Sequence, residues 1–145
     1  VCVFACFPAG TKINTAGGLK NIEEIKTGDK VWSYNELTGE TGLQEIVRTM
    51  VREIDHTIEL YTEEEIIETT AEHPFLTDNG WKDAVDLQTG DKIRSRNEED
   101  IEIKDVKFSY RPRKVYNFEV SNWHTYFVRV LAWIVHNAKN VFPEL

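Results

Sequence analysis

Apolar and polar residues alternate with a period of two in several short segments of the chain. Thr57-Ile58-Glu59-Leu60-Tyr61, Ile101-Glu102-Ile103-Lys104 and Val115-Tyr116-Asn117-Phe118-Glu119-Val120 alternate in the manner of half-buried β-strands. Turn formers separate such segments at close intervals: Thr38-Gly39-Glu40, Asp78-Asn79-Gly80 and two copies of Thr-Gly-Asp-Lys. This spacing predicts an all-β fold of sandwich or barrel type. Helix is scarce. Only Leu19–Ile25 and Lys82–Leu87 read as single helical turns, each leading into a turn that contains glycine.

The chain also echoes itself. Ile25-Lys26-Thr27-Gly28-Asp29-Lys30-Val31-Trp32-Ser33 returns as Leu87-Gln88-Thr89-Gly90-Asp91-Lys92-Ile93-Arg94-Ser95, with Glu24 matched by Asp86 and Asn35 by Asn97. In each copy a glycine free to take positive φ precedes a strand that starts Lys-Val or Lys-Ile. An identical tetrapeptide with matched flanks points to duplication, and so to two lobes related by a pseudo-twofold axis.

Composition narrows the field. The 145 residues, 41% of them hydrophobic, suffice for one core and a single domain. With 17 Lys+Arg against 25 Asp+Glu the net charge is −8, and a chain without a basic face is not expected to bind nucleic acid. No apolar run approaches the ~20 residues of a membrane-spanning helix, so a soluble monomer that does not engage a membrane is expected. The two cysteines, Cys2 and Cys6, exclude a disulfide-rich scaffold. They assign no compartment; a secreted or cell-surface host protein is compatible.

The chemistry available near neutral pH rests on those cysteines and four histidines. Cys6 opens Cys6-Phe7-Pro8-Ala9-Gly10-Thr11-Lys12-Ile13. His73 lies in Thr69-Thr70-Ala71-Glu72-His73-Pro74-Phe75-Leu76, and His124 follows the Val115–Val120 segment. His136-Asn137 closes the apolar approach Val130-Leu131-Ala132-Trp133-Ile134-Val135. In this order the four blocks resemble those of the Hint superfamily, the self-processing module of inteins, hedgehog C-terminal domains and bacterial intein-like domains. The resemblance spans about 130 residues, from Cys6 to Asn137. It implies an all-β horseshoe with internal pseudo-twofold symmetry that brings its two ends to one site.

It also implies a chemistry. The Cys6 thiol would attack the carbonyl of the Ala5–Cys6 peptide bond and form a thioester by an N-to-S acyl shift. The family pattern gives the proton for the departing nitrogen to His73, with Thr70 hydrogen-bonding nearby. At the far end, the Asn137 side-chain amide would attack its own carbonyl and close a succinimide, releasing Ala138. His136 and His124 would polarise the carbonyl and move protons. The apolar approach is expected to hold this end in the core.

Three departures from the splicing pattern matter. Ala138 stands where splicing inteins carry Cys, Ser or Thr, and a methyl group cannot receive an acyl chain, so cleavage at both bonds is expected, with at most low-level splicing. The chain thus resembles a type A bacterial intein-like domain. Asn117 replaces the Asp that is common in inteins, and an amide cannot act as a general base. Only about 40 residues separate His73 from Val115, too few for a homing endonuclease. Residues 6–137 are then the domain, with 1–5 and 138–145 as remnants of the flanking polypeptides, the substrate and only partner in cis. No cofactor or metal is implied.

Alternatives remain at this level. Cys6 and His73 could form a Cys-His hydrolase that acts in trans. Cys2, Cys6 and histidines could bind zinc, although no downstream ligand pair matches. A non-catalytic β interaction module is a third reading. A Cys2–Cys6 disulfide would lock the nucleophile.

Overall fold

The computed structural model describes residues 6–97, 99–129 and 133–136. Fifteen strands follow in order: β1 (Phe7–Pro8), β2 (Lys12–Thr15), β3 (Gly18–Asn21), β4 (Lys30–Tyr34), β5 (Thr41–Ile54), β6 (Thr57–Tyr61), β7 (Ile66–Thr69), β8 (Pro74–Thr77), β9 (Gly80–Asp83), β10 (Lys92–Arg94), β11 (Asp100–Glu102), β12 (Asp105–Ser109), β13 (Arg113–Val120), β14 (Thr125–Val128) and β15 (Trp133–His136). Thr57–Tyr61 and Val115–Val120 are strands, as their pattern predicts, whereas of Ile101–Lys104 only Ile101 and Glu102 are, at the end of β11. The two expected helical turns are shorter than the sequence suggests. Gly18–Asn21 and Gly80–Asp83 extend as β3 and β9, and only Ile22–Glu24 and Ala84–Asp86 wind into single 3-10 turns. Thr15 and Thr77 each donate through Oγ1 to the carbonyl of the glycine three residues on, at 2.6 Å, which tightens a hairpin where a helix would otherwise start.

One sheet runs β1-β13-β5-β4-β2-β14-β15-β8-β10-β11, with β3 added to β2 and β9 to β8; a second sheet orders β12-β6-β7. All pairings are antiparallel. The duplication is visible in this order. β14 and β15 pair at the centre, Thr125 opposite His136 and Val128 opposite Trp133. On one side β2 pairs with β14, on the other β8 with β15. Each outer strand carries its hairpin partner, β3 or β9, and then β4 or β10. Gly28 and Gly90 take the predicted positive φ, 92° and 94°.

The core lies between the lobes. Phe7, Phe75, Phe118, Tyr126 and Trp133 are fully buried with Ile13, Ile58, Leu60 and Ile93, each contributing roughly 1.5–3 kcal/mol by leaving water. Trp133, Ile134 and Val135 are buried as expected, while residues 130–132 of that approach lie outside the described residues. Trp133 Nε1 donates to Glu65 Oε2 at 2.6 Å, so the indole meets its polar requirement inside the core.

Candidate functional site

Cys6 sits at the entrance of β1, whose register puts Phe7 opposite Tyr116 and Pro8 opposite Val115 on β13. Its backbone is held from the other side by one residue. The Cys6 N–H donates to Thr70 Oγ1 at 2.8 Å, and the Cys6 carbonyl accepts from the Thr70 N–H at 3.0 Å. The nitrogen that would leave in an acyl shift is thus gripped by a side chain 64 residues away. The Cys6 side chain is 0% exposed and its thiol is free. Burial pushes the thiol up to about 12, with the nearby Arg52 guanidinium pulling in the opposite direction.

His73 stands directly before β8 and is completely enclosed. Its ring lies 4.2 Å from that of Phe7, 5.9 Å from Phe75 and 6.3 Å from Tyr126. His73 Nε2 is 3.1 Å from the His136 carbonyl. A carbonyl only accepts, so Nε2 carries the proton and Nδ1 is the bare nitrogen. No described group hydrogen-bonds Nδ1, and the Cys6 carbonyl lies near enough to the ring to favour its protonated form. Desolvation lowers the imidazole to about 3, against the raising pull of the two carbonyls. His73 is therefore neutral at rest. A neutral ring with its proton committed to His136 is no donor to Cys6 until Nδ1 has first been protonated, which sharpens the sequence-based picture of a simple acid.

At the opposite end, His124 occupies the β13–β14 turn with φ 59°, exposed to solvent. Its ring lies 6.2 Å from that of His136, which in turn meets Trp81 edge to face at 5.4 Å. Trp81 Nε1 donates to Glu36 Oε2 at 2.7 Å. Of the residues singled out in the sequence, Cys6 and Thr70 meet through their backbones and one hydroxyl, and His73, His136 and His124 form a second chain of contacts through the His73–His136 bond and the His124–His136 rings. Ala5, Asn137, Ala138 and Cys2 lie outside the described residues.

Sequence reasoning missed Tyr126 and Arg52. Tyr126 is fully buried, and its hydroxyl donates to Asn117 Oδ1 at 2.8 Å. The signal was weak, because all four residues of β14 are buried and no period separates a functional from a packing side chain. A cleft of about 540 Å³ opens beside Thr70, lined by Glu53, Ile54, Thr70, Ala71, Glu72 and Pro112 among others. Among the described residues no group of three His, Cys, Asp or Glu side chains could hold a metal ion.

Residues 12–138 match the family described as "Pretoxin HINT domain". The chain is similar to a bacterial intein-like domain from Clostridium thermocellum, with 41% identity, a TM-score of 0.87, and coverage of 91% of this chain and 98% of that one. It shares its fold with a DnaB intein from Synechocystis, at 21% identity and TM-score 0.78 over 93% of this chain and 99% of that one. A DnaX mini intein from Spirulina platensis is alike at 23% identity and TM-score 0.77, over 91% and 99% of the two chains. No curated protein is matched.

Proposed function

The chain belongs to the Hint family, and from that premise we propose that it cuts its own backbone at two bonds, Ala5–Cys6 and Asn137–Ala138. What supports this most is the grip on the Cys6 backbone by Thr70, together with an enclosed imidazole that reaches both ends of the domain.

In the first step Cys6 Sγ bonds to the Ala5 carbonyl carbon and the bond from that carbon to the Cys6 nitrogen breaks. The thiol proton ends on the nitrogen, carried by His73 Nδ1, so no net charge is gained. Thr70 Oγ1 fixes the plane of the amide before attack. With the thiol near 12 and the imidazole near 3, proton transfer is uphill at rest, and the step is slow at neutral pH. Water entering by the cleft beside Thr70 then hydrolyses the thioester.

In the second step Asn137 Nδ2 attacks its own carbonyl carbon, the bond to the Ala138 nitrogen breaks, and one amide proton passes to that nitrogen. His136 and His124 move it. Ala138 offers no side-chain nucleophile, so cleavage outweighs splicing, and only an external amine could take the acyl group. Residues 6–137 are the working domain, and the flanking polypeptides are its substrate in cis.

The test fuses carrier proteins to both ends and follows products by mass spectrometry. Cys6→Ala is expected to abolish the upstream cut alone, and Asn137→Ala the downstream cut alone. A parent chain that stays whole with added thiol, or variants that cut as it does, would refute the proposal.

A further inference from the structure

β1 is antiparallel to β13, with Phe7 facing Tyr116 and Pro8 facing Val115. One more step along this ladder sets Cys6 against Asn117. Asn117 is buried, and its Oδ1 receives two hydrogen bonds, from the Phe118 N–H at 2.7 Å and from the Tyr126 hydroxyl at 2.8 Å. A backbone N–H can only donate, so the oxygen of this carboxamide is identified without ambiguity and its NH2 group points away from both donors. The Tyr126 ring is clamped by Phe118, with centroids 4.3 Å apart, and by Phe7 at 6.2 Å and His73 at 6.3 Å. Its hydroxyl therefore has one address.

We propose that Tyr126 is a positioning residue for the acyl shift at Cys6: it locks the Asn117 carboxamide, a neutral group, beside the nucleophile. This rests on the self-processing reading above. A carboxylate at 117 would accept the same two hydrogen bonds, but would put a negative charge against a sulfur that must itself become negative. Burial holds the Tyr126 phenol well above its ordinary 10, with the Cys6 thiol adding to the rise, so the hydroxyl stays a donor while the thiol ionises. Arg52, which faces Val115 from β5, supplies the opposing positive charge. The Tyr–Asn pair thus lets an anion form at Cys6 in a dry pocket without a second anion next to it.

The experiment uses the full chain with carriers at both ends and traps the thioester with excess hydroxylamine, so that the acyl shift limits the rate. Tyr126→Phe keeps the ring and is expected to slow the upstream cut about tenfold, the worth of one buried hydrogen bond, while the downstream cut stays as in the parent. Asn117→Asp is expected to move the alkaline rise of the upstream rate up by about one pH unit. Adding Tyr126→Phe to it should move the rise further than the two single effects combined. An upstream rate and pH profile unchanged in Tyr126→Phe would overturn the inference and leave the self-processing reading standing. Equal slowing of both cuts would also overturn it, since the hydroxyl would then serve the fold as a whole and not the acyl shift. A parent that forms no hydroxamate at any pH would instead remove the self-processing reading before any variant is compared.

Discussion

The hairpin that begins at Thr11 and the one that begins at His73 share most of their backbone frame. Displaced by 62 positions (Thr15 and Thr77, Gly28 and Gly90), the same contacts recur. The Ile22 N–H donates to the Thr11 carbonyl at 2.8 Å, and the Ala84 N–H to the His73 carbonyl at 3.0 Å. Asp29 accepts from the Lys26 N–H and from Lys20, as Asp91 does from the Gln88 N–H and from Lys82. The Thr11 N–H turns back to the Pro8 carbonyl, and the His73 N–H to that of Thr70. One position then differs in kind. Thr11 spends its hydroxyl on the Pro8 carbonyl at 2.8 Å and closes a turn, whereas the imidazole at 73 reaches across the sheet to His136. Duplication supplied the frame, and the copies part where an imidazole stands in place of a turn-closing hydroxyl.

The largest way to expose this difference is acid. The His73 imidazole is lowered from 6.5 to about 3, so its contribution to stability is complete above 6.5 and is lost as pH falls toward 3, because the unfolded chain binds the proton first. That amounts to about 5 kcal/mol across the window, and it resides in one lobe only. Denaturant titrations from pH 7 to pH 4 should show a steep loss of stability, and His73→Thr should flatten it. The Cys6 thiol acts in the other direction: its contribution is whole below 9 and fades as pH rises toward 12.

The same substitution, which gives the second lobe the side chain of the first, should slow the upstream cut by at least about a hundredfold and leave the sheet intact by circular dichroism. A variant that cuts at the parent rate would show that the two lobes do not differ in function at this position.

Smaller effects should fall evenly on the two copies. Asp29→Ala and Asp91→Ala each remove a carboxylate that closes a turn and meets a lysine, at a cost of about 1–2 kcal/mol, read as matching shifts in the urea midpoint. Unequal costs would mean that one lobe leans on its neighbour. Smallest are Gly28→Ala and Gly90→Ala. No heavy atom lies within 4 Å of either new Cβ, so only the left-handed backbone is charged for, about 1 kcal/mol each. Thermal melts should give equal decreases.

Much of this was legible in the sequence because short-range rules govern it. Period-two patterns located β6 and β13, and the repeated Thr-Gly-Asp-Lys located both lobes. The reach of the duplication was hidden, since Thr11 and His73, or Ile22 and Ala84, share a backbone role and no side-chain chemistry. β5, fourteen residues long, carries polar groups on both faces and so offered no clean face to read. Cys6 and His73 could be named from their blocks. The tautomer of His73 could not, because it depends on a carbonyl 63 residues away, and the Tyr126–Asn117 bond joins two strands whose approach is set by packing alone.

The way β1 is seated has a bearing on timing. Phe7 pairs with Tyr116, the Cys6 nitrogen with Thr70 and His73 with His136, so these three links join segments far apart in the chain. Contacts of such long sequence separation form late in folding, and synthesis delivers only about 5–20 residues per second. While a nascent chain is still emerging, Cys6 is an ordinary thiol without its Thr70 contact, and the carbonyl that meets the imidazole arrives only with β15. A chain built this way completes these contacts only once β15 has been made.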